Sequence, residues 1–232
     1  MIYDMAGNCY SSSMKILIRG ILFDMDGVLV SSLGSVERSW TKWGQMRNID
    51  GALAIKTAHG QRAIETVRKL RPDLNDEEEL KLIEEIEIAD KDDIEVLAGV
   101  ARILAALPEK YWTIVTSATE KLARARLAHA GLAVPKHIIT ADMVTHGKPH
   151  PEPYLRGAEL LGLQPGDCLV IEDSASGAKA GHAAGCKVLA TLFSHTTEEL
   201  AAADWIVRSL EDVAVRPLAD GVEIEFEPVT IR

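Results

Sequence analysis

Cysteine is scarce and scattered. The 232 residues hold three, at positions 9, 168 and 186, with no C-x-x-C spacing, which excludes the usual zinc and dithiol frameworks. Cys168 and Cys186 sit in apolar, strand-like runs and read as buried thiols. Long hydrophobic runs are missing as well: nothing approaches the roughly 18 apolar residues of a membrane span. The opening M-I-Y-D-M-A-G-N-C-Y-S-S-S has an acid where a signal peptide needs positive charge. Residues 1–13 therefore read as a loose tail ahead of Met14, itself a candidate natural start. Positive charge is in deficit, with 25 Lys and Arg against 35 Asp and Glu and a formal net charge of −10. That argues against a nucleic-acid or anionic-membrane partner, since such surfaces need Lys and Arg to displace counterions. A small phosphate ligand stays open, because a few local cations and a metal suffice for it. The expectation is a soluble, cytoplasmic protein, and 47% apolar residues are enough to build a real core.

The apolar residues are arranged as short runs separated by helical periods. The run at 15–24, K-I-L-I-R-G-I-L-F-D, predicts a buried strand ending in a polar loop that contains Gly27. Further strands are predicted at 112–115, 137–139, 168–171, 187–192 and 205–207. Helices are predicted at 120–130, 151–161 and 175–184, with Gly131, Gly162 and Gly185 where C-caps belong. This alternation predicts an α/β fold with a Rossmann-like parallel sheet core. Residues 33–97 break the rhythm, with no strand pattern and three apolar stripes at helical spacing: Val36, Trp40 and Trp43; Ala63, Ile64, Val67 and Leu70; Leu80, Ile83, Ile86 and Ile88. A small all-helical unit is thus inserted after the first strand, leaving 14–32 and 98–232 as the core domain and 33–97 as a separate helical domain. Within it, residues 73–95 carry twelve acidic residues and two lysines, read as solvated helix faces. The C-terminal G-V-E-I-E-F-E-P alternates apolar and acidic residues and predicts an edge strand guarded by charge.

Four clusters could carry chemistry. In F-D-M-D-G-V (23–28), Asp24 and Asp26 follow the first strand, where open parallel sheets bind ligands. Residues two apart on extended backbone face one way, and two such carboxylates need a cation or a shared proton. Taken alone the string is also an ordinary Asp-Gly turn. Thr116, Ser117, Ala118 and Thr119 follow W-T-I-V and suit either a phosphate or a helix N-cap. In H-G-K-P-H-P-E-P-Y (146–154), Lys148 lies on a proline-stiffened loop and offers a fixed positive charge to phosphate or carboxylate, or is a solvated loop lysine flanked by exposed His146 and His150. In L-V-I-E-D-S-A-S-G (169–177), Glu172 and Asp173 end another apolar strand. Their hard oxygens could join Asp24 around Mg²⁺, or simply close a charged strand ahead of a capping Ser174 or Ser176. All four clusters fall at the carboxyl end of a predicted strand or in an adjoining loop.

Taken in order, the four clusters resemble the motifs of the haloacid dehalogenase superfamily of phosphatases over roughly residues 15–210, and the helical insertion is similar to its small cap domain. H-G-Q-R (59–62), G-K-P-H-P-E-P-Y (147–154), E-D-S-A-S-G-A-K-A-G (172–181) and the acidic terminal strand are similar to glycerol-phosphatase and 2-deoxyglucose-6-phosphatase-like enzymes. The resemblance implies a Mg²⁺-dependent phosphomonoester hydrolase that acts on a small sugar or polyol phosphate through an aspartyl phosphate. It implies Asp24 as nucleophile and Asp26 as acid then base, with its carbonyl on the metal. Thr116 or Ser117 would bind the phosphoryl group, Lys148 would balance charge, and Glu172 and Asp173 would hold the metal with Asp24. His59, Gly60 and Arg62 would contact substrate from the cap. Such an enzyme can work as a monomer.

Related chemistries differ at identifiable positions. A dehalogenase needs no acid/base carboxylate two residues after its nucleophile, so Asp26 counts against it. Sugar phosphomutases of the β-phosphoglucomutase type carry a cap histidine twelve residues after the nucleophile, where this chain has Val36. Many relatives carry an acid shortly after the first motif, where this chain has Ser31 and Ser32. A regulatory domain that kept only the fold would be expected to have lost Asp24, Asp26, Lys148 or Asp173, and all four are present.

Overall fold

The computed structural model describes residues 13–229 and, ahead of them, two dipeptides, β1 (Ile2–Tyr3) and β2 (Cys9–Tyr10), which pair antiparallel. The other residues of the expected tail lie outside the described ones. The single strand expected over 15–24 is two strands, β3 (Met14–Ile18) and β4 (Gly20–Phe23), in different sheets. Residues of β3 alternate, with Lys15 and Leu17 exposed and Ile18 buried, whereas all four residues of β4 are buried. The first pattern suits a sheet with one wet face and the second a sheet covered on both. The chain changes sheet at exposed Arg19, whose N–H donates to Asp167 O at 2.8 Å.

After β4 come β5 (Val30–Ser31) and four helices, α1 (Leu33–Met46), α2 (Gly51–Ala58), α3 (Ala63–Leu70) and α4 (Asp76–Ala89). The three apolar stripes lie on α1, α3 and α4; α2 was not expected, and Asp50 caps it by accepting from Leu53 N at 3.0 Å. Trp40 and Trp43 pack edge to face with ring centroids 5.4 Å apart, among buried Ala54, Val67 and Ile83. The chain returns through β6 (Glu95–Val96), which pairs antiparallel with β5. Residues 33–97 therefore do contain a strand, too short to show a period. Nor are their acids all solvated. Glu79 is buried, accepting from Trp43 Nε1 at 2.8 Å and Arg47 Nη2 at 2.6 Å, and Glu87 is buried against the next helical layer.

The remaining elements are α5 (Val100–Ala106), β7 (Trp112–Ile114), α6 (Glu120–His129), α7 (Glu152–Leu160), β8 (Cys168–Glu172), α8 (Ala175–Ala183), β9 (Lys187–Thr191), β10 (Trp205–Val207), β11 (Val213–Leu218) and β12 (Gly221–Phe226). Five strands form one parallel sheet in the order β10-β9-β8-β4-β7. The strand expected at 137–139 is reduced to a bridge between Val115 and Ile139, being three residues long and closely preceded by Pro135. Gly131, Gly162 and Gly185 end α6, α7 and α8 with φ of 72°, 68° and 81°, the left-handed C-cap conformation in which glycine carries no Cβ penalty. Cys168 and Cys186 are buried, and burial pushes both thiols up to about 12. No helix among the described residues is long and apolar enough to cross a membrane.

The C-terminal strand is not an edge. β12 lies between β11 and β3, with Val222, Ile224 and Phe226 buried. Its outward acids meet partners across the ladders, Glu223 with Arg216 at 3.0 Å and Glu225 with Lys15 at 3.0 Å, so the charges pair with neighbouring strands rather than deter them. Ile224→Ala should therefore lower the urea unfolding free energy by about 2–5 kcal/mol, as for a core isoleucine. A loss under about 1 kcal/mol would contradict the central placement.

Candidate active site

Because β8, β4 and β7 are adjacent and parallel, their carboxyl ends deliver Glu172 and Asp173, Asp24, and Thr116 to one place. Asp24 N–H donates to Ile171 O at 2.9 Å, fixing the first loop to β8. Two glycines make the convergence sterically possible. Gly27 has φ +81°, and a Cβ there would overlap the Asp173 carboxylate; a Cβ on Gly177 would overlap that of Glu172. Lys148 reaches in from the loop before α7 and is 2% exposed.

Lys148 Nζ donates to Asp24 Oδ1 at 2.6 Å, Glu172 Oε1 at 2.7 Å and Val115 O at 3.2 Å. Glu172 is saturated with donors: Tyr154 OH also reaches Oε1 at 2.7 Å, while Oε2 accepts from Asp173 N, Ser174 N and Ser174 Oγ. Burial alone would raise the Glu172 carboxyl, but Lys148 and these donors hold it below its usual range. Asp24 goes the other way. Burial, with Glu172 and Asp26 adding to it, pushes its carboxyl up to about 7 against the pull of Lys148. Asp173 is raised well above the usual range by burial and then by Glu172 and Asp24, although Ser194 Oγ donates to its Oδ2.

Asp26 sits beside this cluster. Its Oδ1 accepts from Ser32 Oγ at 2.6 Å and Arg126 Nη1 at 3.0 Å, and Oδ2 has no protein partner among the described residues. Arg126 also donates from Nη2 to Glu87 Oε1 at 3.2 Å. Asp24, Asp26, Thr116, Ser117, Lys148 and Asp173 all line a cleft of ≈ 240 Å³ between the sheet and helices α1–α4. Thr116 Oγ1 accepts from Ala118 N at 3.1 Å, which leaves its proton free, while Ser117 Oγ is turned to Gly60 O at 3.5 Å. His59, Gly60 and Arg62 line the opposite wall. His59 packs edge-on to His195 at 5.5 Å, and burial followed by the neighbouring His195 lowers its pKa. Arg62 is heavily engaged with protein: Nε and Nη2 donate to Glu65 Oε1, Nη1 to Val144 O at 2.9 Å and Nη2 to Thr145 O at 2.9 Å. It thereby ties α3 to the loop that carries Lys148.

Asp24, Glu172 and Asp173 each place a carboxylate oxygen within 4.8 Å of the others. Three buried carboxylates against one lysine leave a negative excess in a low-dielectric site, and oxygen donors fit a hard divalent cation. Of the paired acids, Asp173 is the freer ligand, since five donors already occupy Glu172. Tyr154, Ser32, Ser194, Glu87 and Arg126 escaped sequence reasoning. Arg126 and Glu87 do leave a signal, each being a charge inside an apolar stripe, with Leu122, Ala123 and Leu127 around one and Ile83 and Ile86 around the other.

A family model described as a haloacid dehalogenase-like hydrolase matches residues 18–185. Hexitol phosphatase A of Escherichia coli (strain K12) is 38% identical over 208 residues, covering 88% of this chain and 96% of that protein. Glycerol-1-phosphate phosphohydrolase 2 of Saccharomyces cerevisiae is 34% identical, covering 92% and 91%. Among solved structures, a hydrolase from Pseudomonas syringae superimposes with a TM-score of 0.75 at 24% identity, over 83% of this chain and 94% of that one, a likeness of fold.

The site's charge predicts a pH-dependent stability. A carboxyl raised from 3.8 to about 7 stays protonated in the fold while ionised in the unfolded chain between those values. The metal-free fold therefore loses stability as pH rises through that window. A divalent cation that binds the ionised cluster should raise Tm more at pH 8 than at pH 5.5; an equal shift at both would separate cation binding from these acids. For Arg62→Ala, its bonds to the 144–145 carbonyls predict similar fractional losses of activity on sugar phosphates and on p-nitrophenyl phosphate. A loss confined to sugar phosphates would make Arg62 a substrate contact.

Proposed function

This chain belongs to the haloacid dehalogenase-like hydrolases, and from that premise we propose that it is a Mg²⁺-dependent phosphatase of small sugar or polyol phosphates working through an aspartyl phosphate. The observation that carries the reading is the placement of Asp24 and Asp26 on one cleft, the first bonded to Lys148 at 2.6 Å, the second with one carboxylate oxygen unpartnered among the described residues. The sugar and polyol phosphatases among its relatives support the substrate class.

In this reading an Asp24 carboxylate oxygen attacks phosphorus while the ester O–P bond breaks, and Asp26 gives its proton to the departing oxygen. Water then attacks phosphorus, returning a proton to Asp26 and releasing Asp24 and inorganic phosphate. Lys148 offsets the charge of carboxylate and phosphate, and the Thr116 hydroxyl donates to a phosphoryl oxygen. Asp24, Asp173 and the Asp26 carbonyl would hold Mg²⁺, with Glu172 adding charge and orienting Lys148. Bound there, Mg²⁺ supplies the positive charge that lets an anionic nucleophile meet an anionic ester. Helices α1–α4 act as the cap that excludes bulk water and reads the leaving group. Val36 on α1 lines the cleft and can neither take nor give a proton, which favours hydrolysis over the mutase reaction.

Asp24→Asn should lower kcat on the order of 10⁴-fold or more with little change in Tm; substantial residual turnover would remove Asp24 from the nucleophile's role. Measured with Mg²⁺, kcat/KM across sugar and polyol phosphates should rise well above that for p-nitrophenyl phosphate for at least one ester. Inactivity on the whole panel would sink the proposal.

A further inference from the structure

We infer that Arg126 is the positioning residue for Asp26, that it forces the transferable proton onto Asp26 Oδ2, and that Glu87 anchors Arg126 from the inserted helices. The inference deepens the phosphatase reading and rests on it. Arg126 lies on the buried stripe of α6 with its side chain 5% exposed. A guanidinium in such a place is costly unless carboxylates compensate it. Two do so, from opposite sides of the cleft: Asp26 on the loop after β4, at 3.0 Å, and Glu87 on α4, at 3.2 Å and itself 7% exposed. Arg126 Nε has no partner, so the two carboxylates account for the guanidinium's hydrogen bonds.

The geometry at Asp26 is asymmetric. Oδ1 accepts from the permanent cation Arg126 and from Ser32 Oγ at 2.6 Å, whereas Oδ2 has no protein partner among the described residues. An oxygen that already accepts two hydrogen bonds, one from a group that stays protonated, is the poorer place for a proton. The proton is therefore carried on Oδ2 of a residue that lines the cleft, and passes from there to the ester oxygen as its bond to phosphorus breaks. Because Glu87 belongs to the inserted helices, their seating on the sheet holds Arg126, and through it Asp26, in register.

A leaving-group comparison tests this, because a merely structural residue would affect all esters alike. p-Nitrophenolate departs without protonation, whereas benzyl alcohol, of similar size, requires an acid. kcat/KM reports only steps through the first phosphoryl transfer, so the later role of Asp26 with water does not enter. Arg126→Gln should lower kcat/KM for benzyl phosphate by about 10- to 100-fold more than for p-nitrophenyl phosphate, a part of the roughly 10²–10⁴-fold due to a general acid. Arg126→Lys should fall between wild type and Arg126→Gln, and Glu87→Gln should shift the ratio in the same direction by less. Should Arg126→Gln fail to fold, Ser32→Ala, which removes the other donor to Oδ1, must still shift the ratio. Equal losses on both esters, or losses confined to KM, overturn the inference. A wild-type enzyme that hydrolyses neither ester nor any sugar or polyol phosphate overturns the phosphatase reading itself, and the inference falls with it.

Discussion

The contact between Lys148 and the carboxylates of Asp24 and Glu172 is the constraint on which the rest of the site depends. One cation, almost wholly buried, faces three acids from two neighbouring strands. Without it, Glu172 could not stay ionised under β8, and Asp24 would have no counter-charge of the protein's own. The surroundings serve this contact: Tyr154 and Ser174 occupy the remaining lone pairs of Glu172, and Gly177 leaves room for its carboxylate. Lys148 still falls short of full neutralisation, which is why Asp24 and Asp173 are raised while Glu172 is lowered. That residual negative charge makes a divalent cation the natural partner of the site.

The inserted helices are tied to the rest of the chain by more than the hydrogen-bonded β5–β6 ladder at their root. Arg62 bonds the loop of Lys148, Ser176 Oγ donates to Gly60 O at 3.1 Å, and Arg126 joins Asp26 to Glu87. Each tie ends on or next to a residue that lines the cleft. The position of the helices and that of the cleft carboxylates are thus mechanically connected, although the helices have a hydrophobic cluster of their own around Trp43 and Ile83.

Periodicity located β8, β9, β10 and helices α6, α7 and α8 because their burial repeats along the chain. It merged β3 and β4, since both are apolar and only their differing alternation marks the change of sheet. It missed β6, which is too short to establish a period, and α2, whose buried face is only Ala54 and Ala58, and it placed β12 at an edge because an alternating acidic strand looks the same whether its acids face water or basic residues across a ladder. The acids of α4 show the same limit: Glu79 cannot be told from Glu78 until Arg47 is brought beside it, and the place of Glu87 in an apolar stripe does not name Arg126 as its partner.

Strand-end polar groups are already legible along the chain: Asp24 and Asp26 after one apolar run, Thr116 after a second, Glu172 and Asp173 after a third, and Lys148 on a proline-stiffened loop. Each cluster alone also reads as an ordinary turn, cap or charged strand end; it is their recurrence, in order, at strand ends and in an adjoining loop that carries the information. Which of these groups share protons and charge depends on how the chain folds. The order β8-β4-β7 makes residues some 150 positions apart neighbours, and burial makes the resulting imbalance of charge matter. Folding also recruited Tyr154 and Ser32, which look ordinary in sequence, and gave Arg126, marked only as a charge within an apolar stripe, its partners on other elements. Hydrogen bonds and desolvation act over a few ångströms of space, so they become legible only once the chain has folded.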